Sequence, residues 1–565
     1  MINRYGVLGA VPLLWSLPLA AVAQTSAPAT IWHGGTIVTM DGNTPHTAQA
    51  VIERGGKIVY VGSEAIARKL AGKNARDRNL QGATLLPGFV DAHSHFAMRM
   101  QIETGVDLSD PAHPVTDIAS LLGTLKSAIA DRGVQPGGWV VAWQYDDGKL
   151  AEKRHITAAE LDSLGDYNIV LIHFTGHGLV ANSAAMAKAG VSATSPVPAG
   201  GITLRDESGK PNGVFFENSA YPIFGAIPQL TAEQKLAALD AAQALYAKNG
   251  FTHMQDGAAS LPDIAFLTSP AATPRLKLDL VMLPTSQNLN ALLQRPDVVF
   301  GRYQGHVKLQ GIKFVLDGSP QARTAYFTRD YKNGAPDGHV LWHGTSNMTQ
   351  DQFIADAKRA YAKGWQLFVH ANGDAAIDMA IKGFTAVGIT AKADARPVVI
   401  HSQFQRPDQL AAYKKIGVGP AYFTNHTYYF ADIHRSNFPK AVVDFISPMQ
   451  AALKAGLHPS NHSDAPVTPL DPFTQLWSSM ARTSLTGQVS GADQRLSSYQ
   501  ALQMLTTGPA WQVFEENRKG RIKPGLLADF VVLDKNPLTT PIDQVRTIRV
   551  LETVKEGQSI WRAAQ

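Results

Sequence analysis

The chain has 565 residues, 45% of them hydrophobic and 17% charged, with a formal net charge of +5. That composition supplies a large core and excludes a globally disordered chain, and so small a net charge, with no Lys/Arg stripe, gives nucleic-acid binding no footing. Cysteine is absent, which excludes disulfides and thiolate ligands; a metal would have to be held by His nitrogen and carboxyl oxygen, a set that suits Zn²⁺ or a similar divalent ion.

At the N-terminus Arg4 precedes an apolar stretch from Tyr5 to Leu19, followed by Ala21-Val22-Ala23 before Gln24. This is the layout of a cleavable export signal over residues 1–23. A membrane anchor is the alternative, but the run is short for a span and contains Pro12 and Pro18. The mature protein is therefore expected to be periplasmic or secreted and free of the membrane.

Residues 29–40 and 50–62 then alternate β-branched and polar residues between Gly and Asn turns, the pattern of strands without helix. Residues 520–536 and 546–562 have the same texture. Both ends can bury their apolar faces by pairing, so one β-sandwich domain is expected from 24–84 and 515–565. The middle, 85–514, alternates apolar runs with helical spacing, as a parallel α/β domain does. The runs are 84–95, 251–258, 276–283, 311–318, 365–374, 397–403, 417–423 and 457–466, and eight of them predict an α/β fold closed as a (β/α)8 TIM barrel. About 155 residues separate the first run from the second; residues 97–250 are read as an insertion over the barrel mouth that shapes the pocket.

The chemistry-bearing residues fall at the ends of these runs. His93 and His95 close DAHSH two apart, and strand alternation sends both to one face. His370 closes WQLFVH, His401 closes PVVIH and Asp464 closes LHPSNHSD. Barrel active sites lie at the carboxyl ends of the strands, so four strand ends carrying these five residues predict one metal site. Lys313 lies inside the fourth run, where an inward lysine is costly unless paired or modified. Two readings stand on the pattern: a carbamate formed with CO₂ that bridges two metals, or an unmodified lysine contacting Asp317. Asp91 is read as orienting a ligand, Trp143 and Tyr145 as pocket lining or simple packing, and Ser402 and Gln403 as polar residues following a ligand.

The motifs PGFVDAHSH, VHANGDAAID, VIHSQ and HSDAP, with the Lys313 strand, resemble the amidohydrolase superfamily. GHGLVANSAAMAKAG, NGVFFEN, KFVLDGS, SDAPVTPLDPF, TTGPAW and GLLADFVVLDKNP resemble its amidohydrolase family 3 branch, the group of YtcJ-like proteins and N-substituted formamide deformylases. The resemblance runs from about Ile31 to Trp561. It implies a (β/α)8 barrel beside a β-sandwich, with His93 and His95 on the more buried metal, His370 and His401 on a second, Asp464 as ligand and general base, and Lys313 as a carboxylated bridge. One or two divalent ions, zinc first, are implied. His177, Glu217 and Asp317 fall in family-like motifs outside the metal set and are candidates either for substrate binding or for supporting the metal ligands; locally, Glu217 could cap a helix and Asp317 could pair with Lys313 or hold the turn at Gly318.

The expected function is hydrolysis of a C–N bond in a small amide, formamide or N-acyl compound by metal-activated water. A deaminase or cyclic-amide hydrolase uses the same scaffold, and self-association is left open. A non-catalytic periplasmic binding protein predicts the loss of a ligand or the base, and none is missing.

Overall fold

The computed structural model describes residues 28–109 and 113–564. The export-signal expectation, residues 1–23, lies outside them. No helix among the described residues is long and apolar enough to cross a membrane.

Strands from both chain ends pair into one eight-stranded sheet. Thr30–Val38, Thr47–Arg54 and Lys57–Gly62 run antiparallel, and Thr84–Pro87 joins them to Phe530–Leu533. Strand alternation divides the side chains between two faces. Trp32, Ile37, Val51, Leu85, Phe530 and Val554 fill one core. Ile31, Ala50 and Ile52 turn to the other side and meet Ala67 and Ala71 of the Glu64–Ala71 helix.

All eight predicted parallel runs contain strands, in chain order: Phe89–Val90, Phe251–Ala259, Asp279–Pro284, Gly311–Val315, Gln366–Ala371, Val398–His401, Gly419–Tyr422 and Ser460–Asn461. Their ladders do not close into the single barrel expected. The first three belong to one five-stranded sheet and the last five to another. The physical reason is local. The first and last strands are two residues long, too short to pair around a ring. At the other break, Val307–Leu309 pairs back to the third strand while Gly311–Val315 pairs forward, leaving the single parallel bridge Thr285–Lys313 between the sheets. A later segment spans the gap between last and first strands: the Met504 and Leu505 carbonyls accept the N–H groups of Asn461 and Val90 at 3.0 and 2.9 Å.

The helices between strands form where the sequence places caps and one apolar stripe. Asp374–Val387 buries Ala376, Ile377, Ala380 and Phe384 and stops at Gly388, which takes the left-handed conformation with φ 84°. Thr349 and Gln352 cap Gln350–Ala362 reciprocally. The segment expected as an insertion begins and ends on helices of the main core: Met100 of Phe96–Thr104 and Leu239, Ala242 and Tyr246 of Ala232–Lys248 pack there. Between them a separate six-stranded sheet, from Val106–Asp107 to Pro211–Glu217, has its own core around Leu121, Leu125, Ala142, Leu171 and Val214.

A buried ionic cluster joins the terminal sheet to the starts of the parallel strands. Lys519 and Lys555 both reach Asp279, Lys555 also pairs with Asp529 at 3.0 Å, and Lys308 pairs with Glu515 at 2.5 Å. Each charge is compensated, as burial requires.

Candidate metal centre

The residues singled out for metal binding come together at the carboxyl ends of the parallel strands. Nε2 of His93 and Nε2 of His95 lie 3.3 and 3.2 Å from Oδ1 of Asp464. His401 Nε2 is 3.0 Å from His370 Nδ1, and the His93 and His401 rings are 5.6 Å apart. His93, His401 and Asp464 offer ligand atoms within 4.8 Å of one another. Lys313 is 2% exposed, and its Nζ stands 3.2 Å from His93 Nε2. It faces the histidines and not Asp317, so the simple lysine–aspartate pair is not the arrangement adopted.

A metal fits this donor set on direct grounds. Asp464 Oδ1 and His401 Nδ1 are buried without a hydrogen-bond partner, as are both ring nitrogens of His462. Such orphaned polar atoms are expensive unless a ligand satisfies them. Burial, reinforced by the charge of Lys313, drives the His93 imidazole well below its ordinary pKa, and burial with the nearby His370 does the same to His401. Both rings are therefore neutral at neutral pH, the form that binds a divalent cation. Asp464 is held well below the ordinary carboxylate range: burial opposes ionisation, and His401, His95 and His93 outweigh it.

The strand ends hold these groups by local strain and close approach. His401, Ser402, Asp464 and Glu217 all have positive φ, between 43° and 70°, where non-glycine residues rarely sit. Gly257 passes so near the His93 ring that an added Cβ would lie 2.0 Å from Cε1. His93 Nδ1 donates to Gln255 Oε1 at 2.9 Å, which fixes Nε2 as the free ligand atom. Asp91 accepts the backbone N–H groups of His93 and Gln255, both at 3.3 Å, and the Ser94 hydroxyl. It orients the turn that carries His93 and His95.

The expected substrate contacts divide. His177 lines a narrow space of about 10 Å³ with His370, His401, His426 and Asp464. Its Nδ1 is 3.0 Å from Glu217 Oε2, and its ring centroid is 5.3 Å from that of His370. Glu217 caps no helix; it accepts from His177 and, at 2.8 Å, from Thr324 Oγ1, and does not line the space. Asp317 is 0% exposed and accepts backbone N–H groups from Asn372, Gly373 and Tyr326 at 3.0, 2.8 and 3.0 Å. Its Oδ1 lies 3.3 Å from His370 Nε2, so it orients that ring. Trp143 and Tyr145 are buried packing residues of the inserted unit. Gln403 is buried, with Nε2 on the Phe423 carbonyl at 3.3 Å, and Ser402 Oγ pairs with Tyr413 at 2.9 Å.

Several residues near the centre were not singled out by sequence reasoning. His462 stands two before Asp464, so the alternation that united His93 and His95 also brings it inward, 5.0 Å from His401 by ring centroids. Gln255 and His426 carry no motif of their own. A cleft of about 1240 Å³ adjoins the narrow space, sharing Gln321 and Val467 with it.

A cluster of imidazoles around one buried carboxylate, at the carboxyl ends of parallel strands and open to a cleft, has the arrangement of a metal-dependent hydrolase centre. The chain belongs to the amidohydrolase family, whose model matches residues 78–561, and it is an enzyme of that family. It is 26% identical to the N-substituted formamide deformylase of Arthrobacter pascens, over 90% of this chain and 94% of that protein. It is 27% identical to the putative amidohydrolase YtcJ of Bacillus subtilis, over 94% of this chain and 99% of that protein. In fold it resembles an uncharacterized metal-dependent hydrolase from Pyrococcus horikoshii, with a TM-score of 0.72 and 23% identity over 91% of this chain and 99% of that one.

Proposed function

We propose that the protein hydrolyses the C–N bond of a small amide, formamide or N-acyl compound at a divalent-metal centre. The observation that carries this reading is Asp464 Oδ1, buried and unpartnered where His93, His95 and His401 converge. His93, His95, His370, His401 and Asp464 would hold the metal, and a nitrogen-and-oxygen donor set without sulfur favours zinc. When bound, the ion supplies Lewis acidity that lowers the pKa of water and polarises a carbonyl.

The protein's own groups do the rest. Asp464 takes the proton of the attacking water and returns it to the departing nitrogen, so that acid and amine leave in balance. His177, with Nδ1 committed to Glu217, presents Nε2 to the substrate. Lys313 is pushed down to about 7 by burial, although Asp464 and Asp256 oppose the shift. That leaves neutral amine near neutral pH, the form that attacks CO₂ and loses a proton to become a carbamate. Isotope-labelled bicarbonate giving a carbamate resonance that vanishes in Lys313→Arg tests this step.

The two parallel sheets are read as halves of a barrel-type domain, 85–514, carried beside a β-sandwich domain of 24–84 and 515–565. Export with removal of residues 1–23, a periplasmic or secreted site of action and a small-molecule substrate complete the proposal. Elemental analysis of the purified protein and of Asp464→Asn, with N-substituted formamides and N-acyl amines assayed in parallel, tests it. One or two zinc ions per chain with hydrolysis lost in the variant is the expected result. A protein that takes up no divalent ion and cleaves none of these compounds refutes it.

A further inference from the structure

The inserted unit reaches the centre through Thr175 and His177, which both line the narrow space, and what holds His177 there begins at a carboxylate in the adjoining cleft. Asp147 Oδ1 lies 3.1 Å from His173 Nε2. His173 Nδ1 lies 2.8 Å from Thr175 Oγ1, and the Thr175 backbone N–H points at the same nitrogen at 3.4 Å. Thr175 Oγ1 in turn accepts the backbone N–H of His177 at 3.2 Å.

These contacts admit one assignment of protons. Nδ1 of His173 receives a backbone N–H, which can only donate, so it is the acceptor nitrogen. Nε2 must then carry the hydrogen, and it faces a carboxylate, which can only accept when ionised. Burial pushes the Asp147 carboxyl up and the hydrogen bond from His173 pulls it down further, to about 2, so it is ionised. The Thr175 hydroxyl therefore donates to His173 and keeps a lone pair for His177. The far side of His177 is fixed as firmly: its carbonyl accepts the Glu217 N–H at 2.8 Å, and its Nδ1 is held by the Glu217 carboxylate. His173 and Thr175 are 6% and 4% exposed, so water does not replace these bonds cheaply.

The geometry points to Asp147, His173 and Thr175 as a positioning relay that sets the His177 imidazole against the metal centre, coupling the inserted unit to catalysis. This inference rests on His177 facing substrate in the proposed hydrolysis. Such relays matter because a misplacement of ~1 Å at a reacting group can cost ~100-fold in rate.

The experiment is a double-mutant cycle. Thr175→Val keeps the shape and removes the hydroxyl; Thr175→Ser restores it. Thr175→Val and Asp147→Ala are expected to lower kcat/KM by about tenfold or more, with metal content unchanged. Thr175→Ser should recover most of that loss. In a His177→Ala background, Thr175→Val should change kcat/KM by less than about twofold, because its effect passes through the missing ring. An equal loss in both backgrounds overturns the relay. If the wild-type enzyme cleaves none of the amides, the proposed function fails separately, and the relay is read from crystal structures of Thr175→Val and Asp147→Ala. A His177 ring displaced from its 5.3 Å approach to His370 supports the relay; an unmoved ring overturns it.

Discussion

Replacing Gly257 with alanine tests whether His93 is held by close approach of the backbone. A Cβ at this position would stand 2.0 Å from Cε1 and 2.5 Å from Nδ1 of His93. Carbon atoms pack at ~3.5–4.0 Å, so ring and backbone would have to separate by about 1.5 Å. Neither has room. The Gly257 N–H donates to the Ser94 carbonyl at 2.7 Å, and the fully buried His93 ring is fixed by Gln255 at 2.9 Å and faces Lys313 at 3.2 Å. Overpacking of this kind costs ~1–3 kcal/mol in stability. Loss of the Gln255 bond should weaken metal binding by about 10- to 100-fold, and the displaced ligand should lower kcat/KM by ~100-fold. The assay is metal content after dialysis, measured beside hydrolysis rate and thermal midpoint. Gly123→Ala is the control: it lies in the helix Ile118–Asp131, with no atom within 4 Å of the added carbon. That change should leave activity intact and add about 0.5–1 kcal/mol of stability. Full metal occupancy with wild-type kcat/KM in Gly257→Ala would refute the reasoning.

Two further outcomes follow from buried charge. Lys519→Met leaves Asp279 short of one of its two lysines in the joint between terminal sheet and parallel strands, and breaking a buried pair costs ~3–5 kcal/mol. Denaturant titration should show that loss while activity below the transition is kept; a change under about 1 kcal/mol would show that Lys555 alone suffices. Asp147 gives a pH dependence. Its folded pKa, about 2, lies below the unfolded value, so its stabilising contribution is present above the unfolded pKa and is lost as pH falls through about 2. The stability of wild type over Asp147→Asn, on the order of 1–2 kcal/mol at pH 6, should therefore shrink between about pH 4 and pH 2. A difference that stays constant over that range would remove the assigned cause.

The convergence of the candidate metal residues was legible because its signal is periodic and local. His93, His95, His370, His401 and Asp464 each end an apolar run, and strand alternation with the rule for parallel sheets places them together. The same rule covered His462, two residues before Asp464, but a histidine beside a stronger motif carries no mark of its own. Glu217 and Asp317 were legible as important, but not in which of two roles, substrate contact or support of a ligand. Whether a carboxylate faces substrate or backbone depends on loops that close over it, such as Thr324–Tyr326 and Asn372–Gly373, and sequence spacing does not encode that closure. The relay from Asp147 was invisible for the same reason, since its members gain meaning only when two turns of the inserted unit meet. Barrel closure is not decided by period alone: eight runs of the right spacing do not say whether the two-residue strands at the ends pair with each other.

The positive φ values at the centre imply that binding competence is held against stability, and Asp464→Gly tests this. Asp464 sits at φ 54°, and its Oδ1 is buried without a partner. Glycine relieves backbone strain of ~1–3 kcal/mol at this position, less the packing lost with the side chain. Metal-free Asp464→Gly should therefore melt higher than metal-free wild type, by roughly 2 °C or more. Added zinc should reverse the order, because ligand at a hundredfold excess over Kd stabilises the native state by ~2.7 kcal/mol and only wild type retains the full site. If the metal-free variant melts lower, the carboxylate is stabilised by contacts other than those seen around it, and Asp464 is not held in wait for a cation.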